Sequence, residues 1–406
     1  MRIAIFTDTY KPEINGVVTS VELFRRELER RGHTVYLVCP DYPHQDESQP
    51  NVFRFPSTPY LFKMMTERRF AYPSIKVFRQ IFKLDIDIIH SQVPANIGAF
   101  GLFVGRFRHI PNVTTYHTLF AEYTHYMPIP TGIARYLVEL ISRRFTGRCQ
   151  RVISPSYTIK QELRKYHVDA PIDVIPTGMD FHDPDALEEE PVIRRRLGIP
   201  EGKRVLSMIG RIGREKNISF LLKVMKLLKQ RRSDFVFVVT GDGPDLEPLQ
   251  TEVAELGLEQ EVVFTGYVTR PEVFGLLKLT TVLVFASLTE TQGLVLLESM
   301  SMGTPIVAIE AMGVSDLISE GKGGIPARME KEDFADKVER LLDDEHLYET
   351  KRQEALEKAR EWSIERMTDR LLESYSLAIS DYHRSRRQPR FGERRGERFR
   401  ELPDNS

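Results

Sequence analysis

Two glutamates eight positions apart, Glu290 and Glu298, border a stretch with the composition of a ligand-binding turn. The pattern predicts a buried strand before the turn and a helix after it. Gly293 permits a ligand to approach the backbone closely. The helix would open with N–H groups that have no partners inside it, those of Gly293, Leu294 and Val295. Because such a helix start attracts phosphate, the stretch predicts an anion site.

The spacing of the two glutamates suits an extended ligand. At about 1.5 Å per residue, Glu298 would lie about 7.5 Å along the helix axis. The two carboxylates would then flank the anion site from opposite sides, and each would face one end of a diphosphate ligand. The alternative is an exposed helix that carries a solvated charge.

A second chemical feature is the loop at 210–217, where Arg211 and Lys216 lie among glycines. It follows a predicted strand and precedes a helix capped by Asn217. Two fixed cations suit a departing nucleotide diphosphate, whose developing negative charge must be stabilised in the transition state. The alternative is an ordinary basic turn on the surface.

Two further residues lie at predicted carboxyl ends of strands. Gly16 follows Asn15, which can cap a helix, so this backbone suits an approaching phosphate or sugar. His117 follows the strand predicted at 113–116. Asn-Gly is otherwise a plain turn, and a lone histidine is otherwise structural.

Asp85 and Asp87 have the spacing of a carboxylate pair that holds a divalent cation. Both would project from one face of a strand, but at its amino end and away from the expected ligand site. We therefore predict a structural role for this pair and a chemistry that needs no metal.

Strand-like and helical patterns alternate along the chain, which predicts an α/β protein with parallel sheets. One series occupies residues 1–180 and a second occupies 192–363. The polar, proline-flanked segment 181–191 predicts a linker between two doubly wound domains, with ligands in the cleft between them. A last helix over 364–383 precedes a basic tail, 384–406, that is predicted to be disordered.

At 406 residues the chain exceeds what one hydrophobic core covers. Its two cysteines, Cys39 and Cys149, are too few for a disulfide framework or a metal cluster, so we expect core thiols in a reducing compartment. The chain enters a strand at once and has no apolar run of about 18 residues. Neither a signal peptide nor a transmembrane helix is predicted, and we expect a cytoplasmic protein.

The near-neutral net charge of −1 is unevenly distributed. Residues 1–180 carry 23 Lys+Arg against 17 Asp+Glu, and residues 384–406 carry 8 against 4. These basic parts indicate an anionic partner.

The segment 61–83 interleaves six cations and one acid with bulky apolar side chains. This mixture suits a helix that lies in an anionic membrane surface. Alternatively, Ile75, Phe78 and Phe82 face the domain's own core and the cations are solvated. A second basic segment, 135–151, supports the membrane interpretation.

The pattern Glu-x-x-Gly-x-x-x-x-Glu from Glu290 to Glu298, followed by Gly303-Thr-Pro, resembles the retaining glycosyltransferases of family four. The Gly-Arg and Glu-Lys-Asn patterns at 210–217 are similar to the same family. The resemblance covers nearly all of the chain to about residue 383. It implies the GT-B fold, in which two Rossmann-like domains face each other across a cleft and the last helix crosses back to the first domain.

Residue roles follow from this resemblance. In the family, the first glutamate holds hydroxyls of the donor sugar and the second holds the nucleotide's ribose, which implies these roles for Glu290 and Glu298. Arg211 and Lys216 correspond to the cations that contact the diphosphate.

The resemblance extends to the other loops. Gly16 corresponds to a glycine that lies against the donor diphosphate, and His117 to a residue beside the reacting sugar. The loops that contain Gly241 and Val268 lie along the nucleotide in the family. No cofactor and no metal are implied.

Within the family, the opening loop and the stretches 116–126 and 142–149 resemble bacterial diacylglycerol glucosyltransferases. They are also somewhat similar to mannosyltransferases that act on phosphatidylinositol. The resemblance implies transfer of a hexose to a membrane lipid, with UDP-glucose as the first candidate donor and GDP-mannose as the second. It also implies a peripheral location on the inner face of the cell membrane.

Three other functions remain open at this point: a soluble-sugar transferase, a nucleotide-sugar epimerase or hydrolase, and a nucleotide-sugar sensor. The predicted partners are a nucleotide-sugar donor, a lipid acceptor and an anionic membrane surface. No specific nucleic acid and no protein partner are predicted.

Overall fold

The computed structural model describes residues 1–13, 15–43, 49–59, 69–92, 95–117, 130–181, 187, 189–318 and 320–387. The chain separates into two compact units. Unit 1 contains Met1–Gly178 together with the segment from Ile364, and unit 2 contains Met179–Ser363.

Unit 1 is built on a seven-stranded parallel sheet with the order β3-β2-β1-β6-β7-β8-β9. The strands β4 and β5 form a separate antiparallel pair. Its elements are β1 (Arg2–Phe6), α1 (Gly16–Arg30), β2 (Thr34–Pro40), β3 (Val52–Phe55), β4 (Ser57–Pro59), β5 (Arg69–Ala71), α2 (Ile75–Lys83), β6 (Ile88–Ser91), α3 (Asn96–Arg108), β7 (Asn112–Thr115), α4 (Thr131–Thr146), β8 (Arg151–Ser154), α5 (Tyr157–Lys165) and β9 (Ile172–Val174).

Unit 2 is built on a six-stranded parallel sheet with the order β12-β11-β10-β13-β14-β15. Its elements are α6 (Glu190–Leu197), β10 (Arg204–Ile209), α7 (Ile218–Lys229), β11 (Phe235–Thr240), α8 (Leu246–Leu256), β12 (Val262–Gly266), α9 (Arg270–Leu279), β13 (Val282–Phe285), α10 (Leu294–Ser301), β14 (Ile306–Ile309), α11 (Ser315–Ile318), β15 (Gly324–Ala327), α12 (Lys331–Asp343) and α13 (Glu345–Glu361).

The final helix, α14 (Ile364–Arg387), belongs to unit 1. Its apolar residues recur at helical spacing and are buried in the core that also contains residues of β1 and α1. These residues are Ile364, Met367, Leu371, Tyr375 and Ala378. The helix ends four residues later than the predicted end at residue 383, so the first part of the predicted disordered tail is helical. Residues 388–406 lie outside the described part.

The predicted linker at 181–191 also differs from the structure. Unit 2 already begins at Met179, whose N–H donates to the carbonyl oxygen of Trp362 at 2.7 Å. This bond ties the two ends of unit 2 together. In addition, α6 begins at Glu190, because Pro191 at the first turn favours a helix start.

The strands that the sequence analysis did not predict are β3, β4, β5, β9 and β15. All have four residues or fewer. Strands β3, β9 and β15 lie at the edges of the two large sheets, and β4 and β5 form a two-stranded sheet of their own. Strand β15 has the sequence Gly-Ile-Pro-Ala, which is typical of a turn when considered alone. Its pairing with β14 requires a neighbour that only the fold supplies.

The predicted membrane segment 61–83 is only partly described, because residues 61–68 lie outside the described ranges. In α2, Phe78 and Phe82 stack on each other with ring centroids 4.1 Å apart, and Phe78 also packs on Phe100 of α3. Ile75 remains 75 % exposed. The aromatic residues therefore pack within unit 1, while Ile75 faces outward.

None of the helices in the described ranges is long and apolar enough to cross a membrane.

Candidate active site

In the sheet of unit 2, successive strands are added on one side from β10 to β12 and on the other side from β13 to β15. The reversal lies between β10 and β13, which are parallel neighbours. In doubly wound sheets, ligands bind outside the carboxyl ends of the strands at this position. The loop at 210–217 follows β10, and the turn that contains Glu290 follows β13. The topology therefore brings the two motifs, separated by more than 70 residues in sequence, to one place.

Lys216 and Glu290 form the central contact of this site. Lys216 ends a short 3-10 turn that begins at Arg214, and its Nζ donates to Glu290 Oε2 at 2.6 Å. The same ammonium lies 5.4 Å from the centre of the Phe285 ring, at the end of β13. Both charged side chains are partly buried. An ammonium has three N–H donors, so Lys216 retains donors for a ligand.

Burial alone would raise the pKa of Glu290, but the Lys216 charge and hydrogen bonds lower it below its ordinary value. The backbone N–H groups of Gln292 and Gly293 also contribute to this lowered pKa. Glu290 is therefore an ionised acceptor at neutral pH, which suits hydroxyl groups of a sugar. Glu290 lies outside α10, so its interaction with the Gly293 N–H is consistent with the prediction that this N–H has no partner inside the helix.

The predicted helix start is present at α10. Gly293 is the N-cap with φ of +75°, a conformation that favours glycine. The first bonds of the helix run from the N–H groups of Leu296 and Leu297 to the Gly293 oxygen, at 2.9 and 3.4 Å. The N–H groups of Leu294 and Val295 precede these bonds, so the geometric requirement for an anion site is met by two N–H groups.

Glu298 lies on the buried side of α10 with 3 % of its surface exposed. Burial raises its pKa, and Arg270 opposes this shift only in part. The Arg270 guanidinium lies 2.6 Å from Glu298 Oε1 and packs over the Phe274 ring at 5.2 Å. The sequence analysis did not identify Arg270. The feature that could have identified Arg270 is its position at the first turn of α9, directly after the loop that contains Val268.

The loops after β10 and β11 are in close contact. A Cβ atom at Gly241, which has φ of +135°, would lie 2.0 Å from the carbonyl oxygen of Gly210. A Cβ atom at Gly243 would lie 2.1 Å from the carbonyl oxygen of Ile212. The N–H of Ile212 donates to the Asp242 oxygen at 2.8 Å. Glycine is therefore required for this contact, which sets the course of the loop that carries the two cations.

Arg211 is exposed beside this contact, and it has no ion-pair partner among the described residues. Its charge is therefore available to a ligand. Val268 is buried at the end of the next loop, after β12. Lys216, Glu290 and Gly293 thus lie in the loops at the carboxyl ends of β10 and β13, and Glu298 lies in α10, which follows the second of these loops.

His117 and Gly16 belong to unit 1. His117 Nε2 lies 2.7 Å from Gln92 Oε1 at the end of β6. Because an amide oxygen only accepts, Nε2 carries the proton and Nδ1 is left as an acceptor. Burial lowers the pKa of His117 to about 4, so the ring is neutral at physiological pH. The sequence analysis did not identify Gln92, which follows a strand that it did predict.

Gly16 is the exposed first residue of α1. The Asn15 side chain accepts from the N–H groups of Val17 and Val18, as expected of an N-cap. At the start of α3, the first N–H groups already have an acceptor, because those of Ile97 and Gly98 donate to the Asp8 carboxylate.

Asp85 and Asp87 both form ion pairs with Arg2. Hydrogen bonds from the Arg2 side chain lower the pKa of Asp87. This contact agrees with the structural role predicted for the pair. In the described ranges, no group of three or more His, Cys, Asp or Glu side chains is arranged to hold a metal.

Comparison with known proteins assigns both halves of the chain to described families. Residues 14–183 match the family model described as Glycosyltransferase Family 4. Residues 189–362 match the model described as Glycosyl transferases group 1.

The chain is 34 % identical over 328 residues to the alpha-monoglucosyldiacylglycerol synthase of Streptococcus pneumoniae, covering 79 % of this chain and 74 % of that protein. It is 27 % identical to the GDP-mannose-dependent alpha-mannosyltransferase of Mycolicibacterium smegmatis, covering 80 % and 84 %. Among solved structures, the chain resembles Anabaena Alr3699/HepE with a TM-score of 0.72, 17 % identity, and coverage of 93 % and 99 %.

Proposed function

Since this chain belongs to glycosyltransferase family four and has the GT-B fold, we propose that it transfers glucose from UDP-glucose to diacylglycerol. The 34 % identity to a monoglucosyldiacylglycerol synthase over most of both chains supports the acceptor and the sugar. The more distant mannosyltransferase relative makes GDP-mannose the second candidate donor.

The observation that carries the proposed chemistry is the Lys216–Glu290 pair at the carboxyl ends of β10 and β13. In the proposed reaction, the bond between the anomeric carbon and the diphosphate oxygen breaks, and the diphosphate leaves with the electron pair. The acceptor hydroxyl attacks the anomeric carbon from the same face, and its proton passes to the departing diphosphate oxygen. Configuration at that carbon is therefore retained.

Each residue of the site has a part in this proposal. Lys216 and Arg211 stabilise the negative charge that develops on the diphosphate. The ionised Glu290 accepts hydrogen bonds from donor-sugar hydroxyls, and Glu298 holds the ribose. For Gly16 and His117 of unit 1, the proposal keeps the roles that the family resemblance implies. The step needs no metal and no cofactor.

The proposal is tested by incubating the purified protein with UDP-glucose and dioctanoylglycerol and identifying the product by mass spectrometry and NMR. An α-linked monoglucosyl lipid is expected. Release of free glucose or an epimer from donor alone would instead indicate a hydrolase or epimerase. A product formed only with a soluble sugar would eliminate the lipid acceptor.

The donor is tested separately by thermal denaturation with UDP or GDP. A ligand at about 100 times its Kd stabilises the folded state by about 2.7 kcal/mol. We expect a higher midpoint with UDP and little change with GDP. Stabilisation by GDP alone would favour the mannosyltransferase alternative.

A diacylglycerol acceptor lies in a membrane, so we propose that the protein works on the membrane surface of the cytoplasmic side. The basic balance of residues 1–180, 23 against 17, supports attraction to an anionic leaflet. Ile75, exposed at the start of α2, supports an apolar contact from the same unit.

A further inference from the structure

Two neighbouring strands of unit 1, β6 and β7, are joined by two hydrogen bonds between side chains at their carboxyl ends. His90 Nε2 lies 2.7 Å from Thr115 Oγ1, and His117 Nε2 lies 2.7 Å from Gln92 Oε1. Within each strand the two residues are separated by one position, so their side chains lie on the same face. The histidine cluster, defined as His90, Gln92, Thr115 and His117, therefore consists of two side-chain pairs, one after the other along the strands.

The histidine cluster lies on the face of the sheet that α14 covers. Ile88 and Val113, which precede members of the cluster by two residues, belong to the same hydrophobic core as Tyr375 of α14. The Tyr375 hydroxyl lies 2.7 Å from His90 Nδ1, and the two rings meet edge to face with centroids 5.6 Å apart. Both ring nitrogens of His90 are therefore occupied, one by α14 and the other by β7.

The cluster is buried at one end and open at the other. His90, Gln92 and Thr115 are 3, 3 and 6 % exposed, whereas His117 is partly exposed. Burial, together with the nearby His117, lowers the pKa of His90 to about 3, so this ring is neutral at physiological pH. An apolar side chain at position 90 would fill the same space without needing two partners. A satisfied buried network instead fixes the orientation of the side chains that it joins.

We propose that the other members of the cluster, together with Tyr375, are positioning residues that set the tautomer and orientation of His117. The Gln92 oxygen accepts from Nε2, which leaves His117 Nδ1 to accept a hydrogen bond from a substrate hydroxyl. The bond between His90 and Thr115 holds the end of β7 two residues before His117. The inference rests on the proposed function, in which His117 lies beside the sugar, and adds the residues that hold His117 in place.

The tautomer is tested with the variant Q92E, which places a carboxylate against His117 Nε2. Burial holds the pKa of His117 at about 4 in the wild type, and an adjacent carboxylate raises the pKa of a histidine by about 1–3 pH units. In the imidazolium, Nδ1 carries a proton and no longer accepts. Activity of Q92E on dioctanoylglycerol should therefore fall about tenfold for each pH unit below the new pKa. It should approach the wild-type activity at pH 9.

The matched control for Q92E is Q150E, the same substitution at the amino end of β7. Gln150 Oε1 accepts from the N–H of Asn112 at 2.6 Å, and a glutamate keeps this acceptor. Q150E should follow the wild-type pH profile. An unchanged profile in Q92E, or an equal change in Q150E, would overturn the proposal.

No other group of the cluster is expected to titrate between pH 5 and 9. In the described ranges, the titratable side chains hydrogen-bonded within the cluster or to it are His90, His117 and Tyr375. Burial raises the pKa of Tyr375 and lowers that of His90, so both stay neutral. A loss of activity toward low pH that appears only in Q92E therefore reports on His117.

The contribution of α14 is tested with Y375F, which removes the hydroxyl bonded to His90. We expect kcat to fall about 3- to 10-fold, the equivalent of one hydrogen bond, with unchanged affinity for UDP. The control is Y166F, because Tyr166 is also buried in unit 1 and its hydroxyl has no hydrogen-bond partner among the described residues. Y166F should retain the wild-type kcat.

The bond to β7 is tested with a pair of substitutions at Thr115. T115V removes the hydroxyl and should lower kcat as Y375F does, whereas T115S keeps the hydroxyl and should behave like the wild type. If T115V and Y375F lower the thermal midpoint but leave kcat unchanged, these contacts are purely structural and the proposal is wrong.

The tautomer can also be observed without turnover, by NMR of isotope-labelled histidine. Ring-nitrogen chemical shifts distinguish a proton on Nε2 from a proton on Nδ1. Because the chain has 10 histidines, the variant H117Q identifies the signals of His117. We expect the proton on Nε2 in the wild type and an imidazolium in Q92E toward pH 5. A proton on Nδ1 in the wild type would contradict the proposal.

The two kinds of measurement separate this inference from the proposed function. If the wild type glucosylates no lipid but NMR shows the expected tautomer and its loss in Q92E, the proposed acceptor is wrong and the positioning of His117 stands. If the wild type glucosylates diacylglycerol and Q92E keeps the wild-type pH profile, the positioning network is wrong and the proposed function stands.

Discussion

At the level of single residues, the proposed chemistry depends on a cation and a carboxylate that stabilise each other before a ligand binds. Lys216 lowers the pKa of Glu290 against the effect of burial, so that Glu290 is ionised. Glu290 in turn holds the Lys216 ammonium in a partly buried position. A preorganised charge of this kind requires little rearrangement when the diphosphate departs.

Replacing Lys216 by alanine is expected to lower kcat by about 100-fold or more, since the charge facing the leaving diphosphate is lost. The control is Arg214→Ala, an exposed cation at the start of the same 3-10 turn, which should retain wild-type turnover. Loss of Lys216 also raises the pKa of Glu290, so the activity that remains should require a higher pH. Steady-state kinetics between pH 5 and 9 measure both effects, and an unchanged kcat in Lys216→Ala would refute the mechanism.

Ionised Glu298 is expected to lower the stability of the folded state at neutral pH. Burial raises the pKa of Glu298. When the pH rises above the ordinary pKa of glutamate, the carboxyl ionises more readily in the unfolded chain than in the folded protein, so the folded state loses stability. Glu298→Gln is therefore expected to raise the urea midpoint at pH 7 and to have no such effect below about pH 4, where the carboxyl is protonated in both states.

The same substitution should weaken UDP binding by about tenfold, because a hydrogen bond to a charged group is replaced by a weaker one. Isothermal titration with UDP measures this loss, and Glu298→Asp serves as a control that keeps the charge. If Glu298→Gln is less stable than the wild type at pH 7 and unchanged in UDP affinity, Glu298 is a purely structural residue.

At the level of elements, the donor site depends on how closely two loops approach. The loops after β10 and β11 meet at Gly210 and Gly241, where no side chain fits between the backbones. This contact also positions the start of the loop that ends at Lys216. Packing of the loops and orientation of the cation are thus coupled through the backbone.

Gly241→Ala is expected to destabilise unit 2 and weaken UDP binding, because its Cβ would lie 2.0 Å from the Gly210 oxygen. The control Gly257→Ala also has a positive φ, +66°, but no atom within 4 Å of the added Cβ. Gly257→Ala should lose only the stability that a positive φ costs a non-glycine residue, about 1–2 kcal/mol. Gly241→Ala should lose about 1–3 kcal/mol more, because of the steric overlap. Urea unfolding compares the two, and equal losses would contradict the proposed steric role.

At the level of the whole molecule, the chain returns to unit 1 through α14, and a buried polar network joins that helix to the sheet. Arg151 of β8 forms two bonds of 2.7 Å with Asp173 of β9. Ser374 and Asp381 of α14 contact Asp173 and Arg151 respectively. The Arg151 and Asp173 side chains are fully buried. Residues more than 200 positions apart in sequence therefore share one network.

Arg151→Met is expected to reduce the stability of unit 1 by about 3–5 kcal/mol, because Asp173 is left buried without its cation. The double variant Arg151→Met/Asp173→Asn removes the unpaired charge and should recover part of this loss. Differential scanning calorimetry would resolve the change in the transition of unit 1. A single variant as stable as the wild type would show that the network contributes nothing.

Much of the fold was predictable because strands and helices are specified by local patterns. Buried parallel strands such as β1, β10 and β11 are continuous apolar runs, and glycines mark the turns after them. Glu290, Gly293 and Lys216 were identifiable because each lies in the loop that follows such a strand and matches a family pattern. Short edge strands were missed because their few residues pair only when a neighbouring strand is already present.

Sequence alone determined the order of the elements, the loops that carry the charged residues, and which residue types are present for phosphate and sugar chemistry. Only the tertiary structure decided the partners: Glu290 with Lys216, 74 residues apart, Glu298 with Arg270, and Asp87 with Arg2. It also decided that one apolar face of α4 is buried and the other exposed. The physical reason is that helical periodicity and turn propensity act over a few residues, whereas ion pairing and burial depend on elements that the sheet topology brings together.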